Sequence, residues 1–326
     1  MTVGEPEDDN ERHLSVEIPP ELDGKRLDVA CAQLFDQYSR SRLQAWIEAG
    51  RLCVDGIVTT RPRLPVAAGQ RLVLDAEPEP DSTVQAQPIA LTIVYADRDL
   101  VVIDKPAGLT VHPGAGQRDG TLQNALLHHF PQTAALPRAG IVHRLDKDTS
   151  GLMVVALTLK AHARLVAALQ ARAVHREYDA LVQGELIAGG RIEAPIGRHP
   201  RDRLRMAVVD HGGREAVTHY RIEERFRQFT RLRVRLETGR THQIRVHLAH
   251  LRHPIVGDPV YGRAVRGSGL AAPLREALHA FRRQALHARA LEFIHPGHGK
   301  PMRWDAEPPA DMQALYALLR AHAAFV

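Results

Sequence analysis

The chain has 326 residues, 44% of them hydrophobic, with two cysteines and a formal net charge of +5. That is more than one ordinary domain and ample for a core, while Cys31 and Cys53, in no metal or redox spacing, speak against a disulfide framework and fit a reducing cytoplasm. No apolar run approaches the roughly 18 residues of a membrane span, and the first residues are acidic and polar, unlike a secretory leader; a cytoplasmic protein with no membrane partner is expected.

The net charge hides a division. Residues 1–13 carry one base and five acids, residues 14–75 eight of each sign, and residues 76–88 three acids and no base, leaving 34 bases against 22 acids in residues 89–326. A surplus of 12 on one domain favours a polyanionic partner bound in a salt-sensitive way. Arginine outnumbers lysine 38 to 5, however, so coding bias contributes and charge alone does not decide the partner.

After a disordered acidic N-terminus over 1–13, residues 14–75 are expected to form a small α+β module. Arg26 to Gln37 places Leu27, Cys31 and Leu34 on one helical face; Ser39 or Ser41 can cap a second helix that runs through Ala49, with Gly50 as its stop. Arg51 to Val54 and Ile57 to Thr60 flank Asp55-Gly56, a strong hairpin signal, and Gln70 to Leu74 adds a strand. The order of these segments, with SRSRLQAWIEAGRLCVDG at its centre, resembles an S4-type RNA-binding domain, and Arg40, Arg42 and Arg51 are then the expected phosphate contacts.

Residues 76–88 (AEPEPDSTVQAQP) have the composition of an extended linker. Beyond it, strands are expected at Leu91 to Tyr95, Leu100 to Asp104, Leu152 to Leu157, Glu177 to Val182, Ala216 to Ile222, Arg231 to Leu236 and Ala288 to Ile294. Helices are expected at Thr121 to His129, Lys160 to Gln170 and Asp311 to His322. Several strands follow one another without a helix, so the class is α+β with a mixed, largely antiparallel sheet over 89–326. Arg198, Arg201, Arg203 and Arg205 form a spaced basic run that can track phosphates or simply be solvated.

The most informative segment is Gly140 to Gly151, GIVHRLDKDTSG. It sets Asp146 between Arg144 and Lys147 in a glycine-bounded turn that runs into an apolar strand. A carboxylate so placed is expected to be ionised and suited to nucleophilic attack. The local chemistry alone leaves open a plain surface turn whose aspartate caps backbone groups. No metal or nucleotide apparatus is visible: His242 and His247 are five apart without the glutamate of a zinc protease helix, and the glycine pairs lack the lysine of a phosphate loop. No metal and no cofactor are expected.

HRLD followed by DTSGL is similar to the catalytic signature of the RluA-type pseudouridine synthases, and most of all to the RluD type that acts on large-subunit ribosomal RNA. Asp104-Lys105-Pro106-Ala107-Gly108, Arg176-Glu177-Tyr178, Glu237 to His247 (ETGRTHQIRVH), Gly257 to Gly262 (GDPVYG) and Ala285 to Ala288 match in the family's order. The resemblance implies the pseudouridine synthase fold with a catalytic cleft and no cofactor. It implies Asp146 as the essential residue, acting either by covalent addition or by removing a sugar proton. Arg245 would be its partner, and Tyr178 would stack on the flipped uracil and help remove the C5 proton. Arg144 would be the wedge that fills the vacated stack, with His143, His112 and Arg240 along the RNA cleft. The implied partners are 23S ribosomal RNA, at its helix 69 stem-loop, or large-subunit precursor particles, met by a monomer. The same chemistry on another rRNA site or on tRNA, and a non-catalytic ribosome-assembly factor, are the alternatives.

Overall fold

The computed structural model describes residues 13–35, 40–75, 84–114, 117–202, 205–264 and 269–323. The chain divides into two compact units, Met1–Thr83 and Val84–Val326. Residues 1–12 of the acidic N-terminus and Ser39 lie outside the described residues.

The first unit runs β1 (His13–Glu17), α1 (Leu27–Leu34), α2 (Arg40–Glu48), β2 (Leu52–Val54), β3 (Ile57–Thr59) and β4 (Arg71–Asp75). Its antiparallel sheet has the order β1-β4-β2-β3. Leu27, Ala30 and Cys31 of α1 and Leu43 and Ile47 of α2 meet Leu52, Leu72 and Leu74 in one core. Asp55 (φ 50°) and Gly56 (φ 79°) both take the left-handed conformation that a two-residue hairpin turn requires. Ser41, the other cap expected from sequence, falls within α2 (Arg40–Glu48).

The second unit follows with β5 (Thr92–Ala96), β6 (Leu100–Lys105), α3 (Leu122–His129), β7 (Ser150–Ala156), α4 (Leu159–Gln170), β8 (His175–Gln183) and β9 (Gly190–Glu193). Then come β10 (Ile196–Arg198), β11 (Met206–Val208), β12 (Val217–Phe226), β13 (Phe229–Leu236), α5 (Gln243–His250), α6 (Ala272–Ala280), β14 (Leu286–Ile294), β15 (Pro301–Asp305) and α7 (Ala310–Ala323). Nine strands form one sheet in the order β5-β6-β7-β14-β8-β13-β12-β9, with β15 on β14. Among its pairings only β7 with β14 is parallel. That contact is close: a Cβ on Gly151, at φ 116°, would lie 2.3 Å from the Ala288 carbonyl oxygen.

Two differences from the sequence reading have physical causes. Gln85 and Gln87, placed in the linker by composition, bind the second unit: the Gln85 carbonyl accepts from the Asn124 side chain (2.8 Å), and the Gln87 side chain accepts from the Gly120 amide (2.7 Å). Helix α5 was not expected at all, because it buries Gln243, Arg245 and His247 along with its apolar residues and so shows no amphipathic stripe.

Sheet and helices converge on the loop that precedes β7. Lys105, at the end of β6, is fully buried, and its ammonium donates to the carbonyls of Pro106 (2.8 Å), Leu109 (2.9 Å) and Lys147 (2.9 Å). Burial pushes its pKa down to about 8, and the three carbonyls hold the charged form. Gln284 donates to Thr149 (3.0 Å) and Arg283 to the Asp148 carbonyl (3.4 Å), so three neighbours of Asp146 are tied to other elements. Lys105→Met leaves three carbonyls without their donor and should cost roughly 2–4 kcal/mol of stability. Denaturant unfolding measures it; a loss below about 1 kcal/mol would mean that the carbonyls find other donors.

Candidate active site

A cleft of about 600 Å³ is lined by the loop before β7, the end of β13, the start of β8 and the N-terminal end of α5. It contains Asp146, Tyr178 and Arg245, residues from a loop, a strand and a helix, together with His112, His143, Arg144, Arg176, Arg240 and His242. The volume suits a single nucleotide.

Asp146 meets Arg245 Nη1 at 3.0 Å and His242 Nε2 at 3.9 Å. Its cationic partner is therefore 99 residues away in the chain; among the described residues its sequence neighbours Arg144 and Lys147 form no ion pair with it, which corrects the source of charge expected from the local sequence. The Asp146 side chain is 17% exposed, against 5% for Arg245, so the carboxylate faces the cleft and the guanidinium backs it. Arg245 also grips Asp258 through Nε (2.7 Å) and Nη2 (2.9 Å). Burial alone would lower the Arg245 pKa; the hydrogen bonds and charge of Asp258, then Asp146, raise it above the ordinary arginine value.

Tyr178 is buried at the cleft wall, and burial raises its phenol pKa, with Arg176 opposing and Asp146 adding to the shift. The ring is thus a neutral apolar face at pH 7. Arg176 lines the same wall with its Nε buried and unpartnered, next to Gly239, where a Cβ would come within 3.0 Å of Nη1.

His242 occupies the left-handed region (φ 57°) at the start of α5. The Met206 amide donates to the Tyr261 hydroxyl (2.9 Å), which leaves the hydroxyl proton for His242 Nδ1 (2.8 Å). With the hydroxyl donating, the ring carries its proton on Nε2, facing Asp146. Burial lowers the His242 pKa more than Asp146 raises it, so the ring is neutral at pH 7.

Residues 99–250 match the family described as RNA pseudouridylate synthase, and residues 25–72 match the S4 domain. Over 307 residues the chain is 58% identical to ribosomal large subunit pseudouridine synthase D of Pseudomonas aeruginosa, covering 94% of this chain and 95% of that one. The chain belongs to the pseudouridine synthase family. The enzyme of the same name from Escherichia coli K12 is 53% identical over 299 residues, covering 91% of each chain. Human RNA pseudouridylate synthase domain containing 1 has a similar fold (TM-score 0.55, 27% identity, 77% of this chain and 92% of that one). As a pseudouridine synthase the chain is an isomerase.

The remaining residues singled out in the sequence divide into several groups. Arg144 is exposed at the cleft, and Arg240 lines it while donating to the Glu215 carbonyl (2.9 Å). His112 lines it too, bonded to Gln123 (3.2 Å), with its pKa lowered by burial. His143, half-buried at the cleft, accepts the Val154 amide (3.1 Å) and is not a charged contact. Arg198 ends β10, Arg205 stacks over Tyr261 (5.3 Å), Arg201 is exposed, and Arg203 lies outside the described residues.

In the S4 unit Arg40 is bound to the buried Asp28 (2.8 Å), which Arg26 and Gln44 also hold. Burial would raise the Asp28 pKa, but these partners pull it down to about 2. Arg51 lies 3.6 Å from Asp75, and the Arg42 side chain is outside the described residues.

Asp258, His242, Tyr261, Arg176 and Lys105 are the cleft and support residues that sequence reasoning passed over. All five lie in the matched motifs, and position in those words was the available signal. Away from the cleft, Asp97, His295 and His298 lie close enough to share an ion. Both rings, however, accept backbone amides at Nδ1, from Gly297 and His298 and from Lys300. With Nδ1 accepting, His295 carries its proton on Nε2, which lies 2.8 Å from the Asp97 carboxylate and donates to it. No helix among the described residues is long and apolar enough to cross a membrane.

Proposed function

We propose that this pseudouridine synthase isomerises uridines of 23S ribosomal RNA to pseudouridine during large-subunit maturation in the cytoplasm, at the helix 69 stem-loop. The observation that carries the chemistry is the Asp146 carboxylate, backed by Arg245 and open to a nucleotide-sized cleft beside Tyr178. The reaction breaks C1′–N1, turns the uracil and joins C1′ to C5, with the C5 proton lost and N1 protonated. Asp146 supplies the ionised carboxylate for attack or for removal of a sugar proton. Arg245 holds it, and Tyr178 offers a flat neutral face on which a flipped uracil can stack. Arg144, exposed at the rim, would fill the stack that the uracil leaves. The basic cleft and the S4 unit favour RNA, with the S4 unit raising local concentration at the substrate. The names of the relatives support the large-subunit site.

Purified protein without added metal or nucleotide should form pseudouridine in 23S rRNA, read by chemical mapping, and a deletion strain should lack it in helix 69. Loss of activity on exhaustive EDTA treatment with recovery on adding metal would overturn the cofactor-free reading. Unchanged helix 69 with a loss at another site or in tRNA would move the substrate.

A further inference from the structure

We propose that Arg176 is a catalytic residue of this reaction: its guanidinium pairs with the uracil while the ring is detached from the sugar and holds the electrons of the broken C1′–N1 bond. The proposal rests on the reading of Asp146 as the reacting group and of Tyr178 as the face on which the uracil stacks.

The arginines that line the cleft differ in what already holds them. Arg245 is paired with Asp146 and Asp258, and Arg172 with Glu215 and Glu237. Arg138 and Arg144 are exposed to water, and Arg240 donates to the Glu215 carbonyl. Arg176 is only 9% exposed, yet among the described residues it forms no hydrogen bond and no ion pair. Its Nε is buried without a partner, and its Nη1 packs on the backbone of Gly239, where a Cβ would come within 3.0 Å. His143, close enough to feel this charge, gives Nε2 to the Val154 amide, so its proton stands on Nδ1, a second buried donor with no acceptor. A buried cation without a counter-charge is costly. This wall of the cleft is therefore complementary to negative charge that comes with the substrate.

The position selects the base over a phosphate. Arg176 and Tyr178 stand two apart on β8, so both side chains leave the same face of the sheet, about 7 Å from each other along the strand. A uracil stacked on the Tyr178 ring has Arg176 at its edge, within reach of a ring carbonyl oxygen. The phosphates of an RNA strand stay at the mouth, where the exposed Arg138 and Arg144 serve them. Breaking C1′–N1 leaves the bonding pair on the uracil, whether Asp146 adds to C1′ or takes a sugar proton. The negative charge spreads from N1 to the ring oxygens and is given up when C5 joins C1′. At that step Asp146 leaves C1′ or returns the sugar proton; the C5 proton is then lost and N1 is protonated. A cation at the edge of the ring holds it more strongly as the bond breaks, which lowers the barrier more than it improves binding.

The test compares full-length wild type, Arg176→Met and Arg176→Lys in single-turnover pseudouridine formation at saturating RNA, in RNA Kd at several salt concentrations and in urea unfolding. Methionine is unbranched and carries no charge, so the saturated rate should fall roughly 100–1,000-fold, with Kd within about threefold of wild type. Lysine restores the charge without the fork and should run at least about tenfold faster than methionine. Because the charge removed is buried and unpaired, Arg176→Met should be no less stable than wild type. A saturated rate within about threefold of wild type, or a lysine variant no faster than the methionine one, would overturn the proposal. So would a loss confined to Kd with a salt slope smaller by about one, the mark of a phosphate contact. A methionine variant that is destabilised or unfolded overturns it too, since Arg176 would then be a packing residue. Asp146→Asn measured alongside separates the two readings. Pseudouridine formed by that variant removes the reacting group, whereas an inactive Asp146→Asn beside a near-wild-type Arg176→Met removes only the role of Arg176.

Discussion

Asp146→Asn is expected to lower single-turnover pseudouridine formation by roughly 10⁴-fold or more, while the fold and RNA affinity stay near those of the parent. The amide is nearly isosteric, and its oxygen can still accept from Arg245 Nη1, now at 3.0 Å from Oδ2, so the loop loses no anchor. What disappears is the negative charge, which both routes open to this residue require: a neutral amide neither adds to C1′ nor takes a sugar proton. The loop itself is fixed from outside, by Lys105 on the Lys147 carbonyl and Gln284 on Thr149, so a changed rate would report chemistry and not a displaced backbone. Mass-spectrometric counting of pseudouridine at saturating RNA measures the effect. A rate within about tenfold of wild type would move the reacting carboxylate elsewhere, with Asp148 the next in the segment. Asp148 starts from a weaker position, since it does not line the cleft.

How much of this was readable beforehand depends on the range of the interactions. The elements with strong periodicity were legible: the apolar run that became β7, fully buried along its length, and the hairpin at Asp55-Gly56 both follow from local pattern. The antiparallel character of the sheet followed from strands succeeding one another without helices, and the single parallel pair, β7 with β14, joins residues more than a hundred apart. In the site, the importance of Asp146 was visible from its segment, but the cation that holds it was misplaced by local reasoning, which saw Arg144 and Lys147. The pair with Arg245 spans 99 residues, and only the likeness to a family suggested it. Asp258 was illegible as a support because nothing in GDPVYG says that its carboxylate will be buried against an arginine 13 residues earlier. Arg40, which the resemblance to an S4 domain makes an expected phosphate contact, also pairs with Asp28, 12 residues away and buried, and no local pattern announces that pair.

His143 illustrates the same limit in a form that acid titration can measure. Sequence placed it along the RNA cleft, which it lines, and in addition its Nε2 accepts the Val154 amide of β7, so the ring pins the HRLD segment to the strand and must stay neutral to do so. Burial, aided by the nearby positive charge of Arg176, pushes its pKa down to about 3 from the ordinary 6.5. Below pH 6.5 the unfolded chain takes up a proton that the folded chain refuses, so the stability contributed by the neutral ring is complete above that pH and is lost as pH falls toward 3. The loss amounts to about 2 kcal/mol at pH 5 and about 3 kcal/mol at pH 4. His143→Gln keeps a carbonyl oxygen for the Val154 amide and cannot titrate. Carboxylate protonation destabilises both proteins alike and cancels in the difference. The unfolding free energy of wild type minus that of His143→Gln, from urea titrations at pH 7, 5 and 4, should therefore fall by those amounts. Parallel curves for the two proteins would show that the imidazole reaches water or a proton acceptor in the fold, and that another group holds the segment against β7.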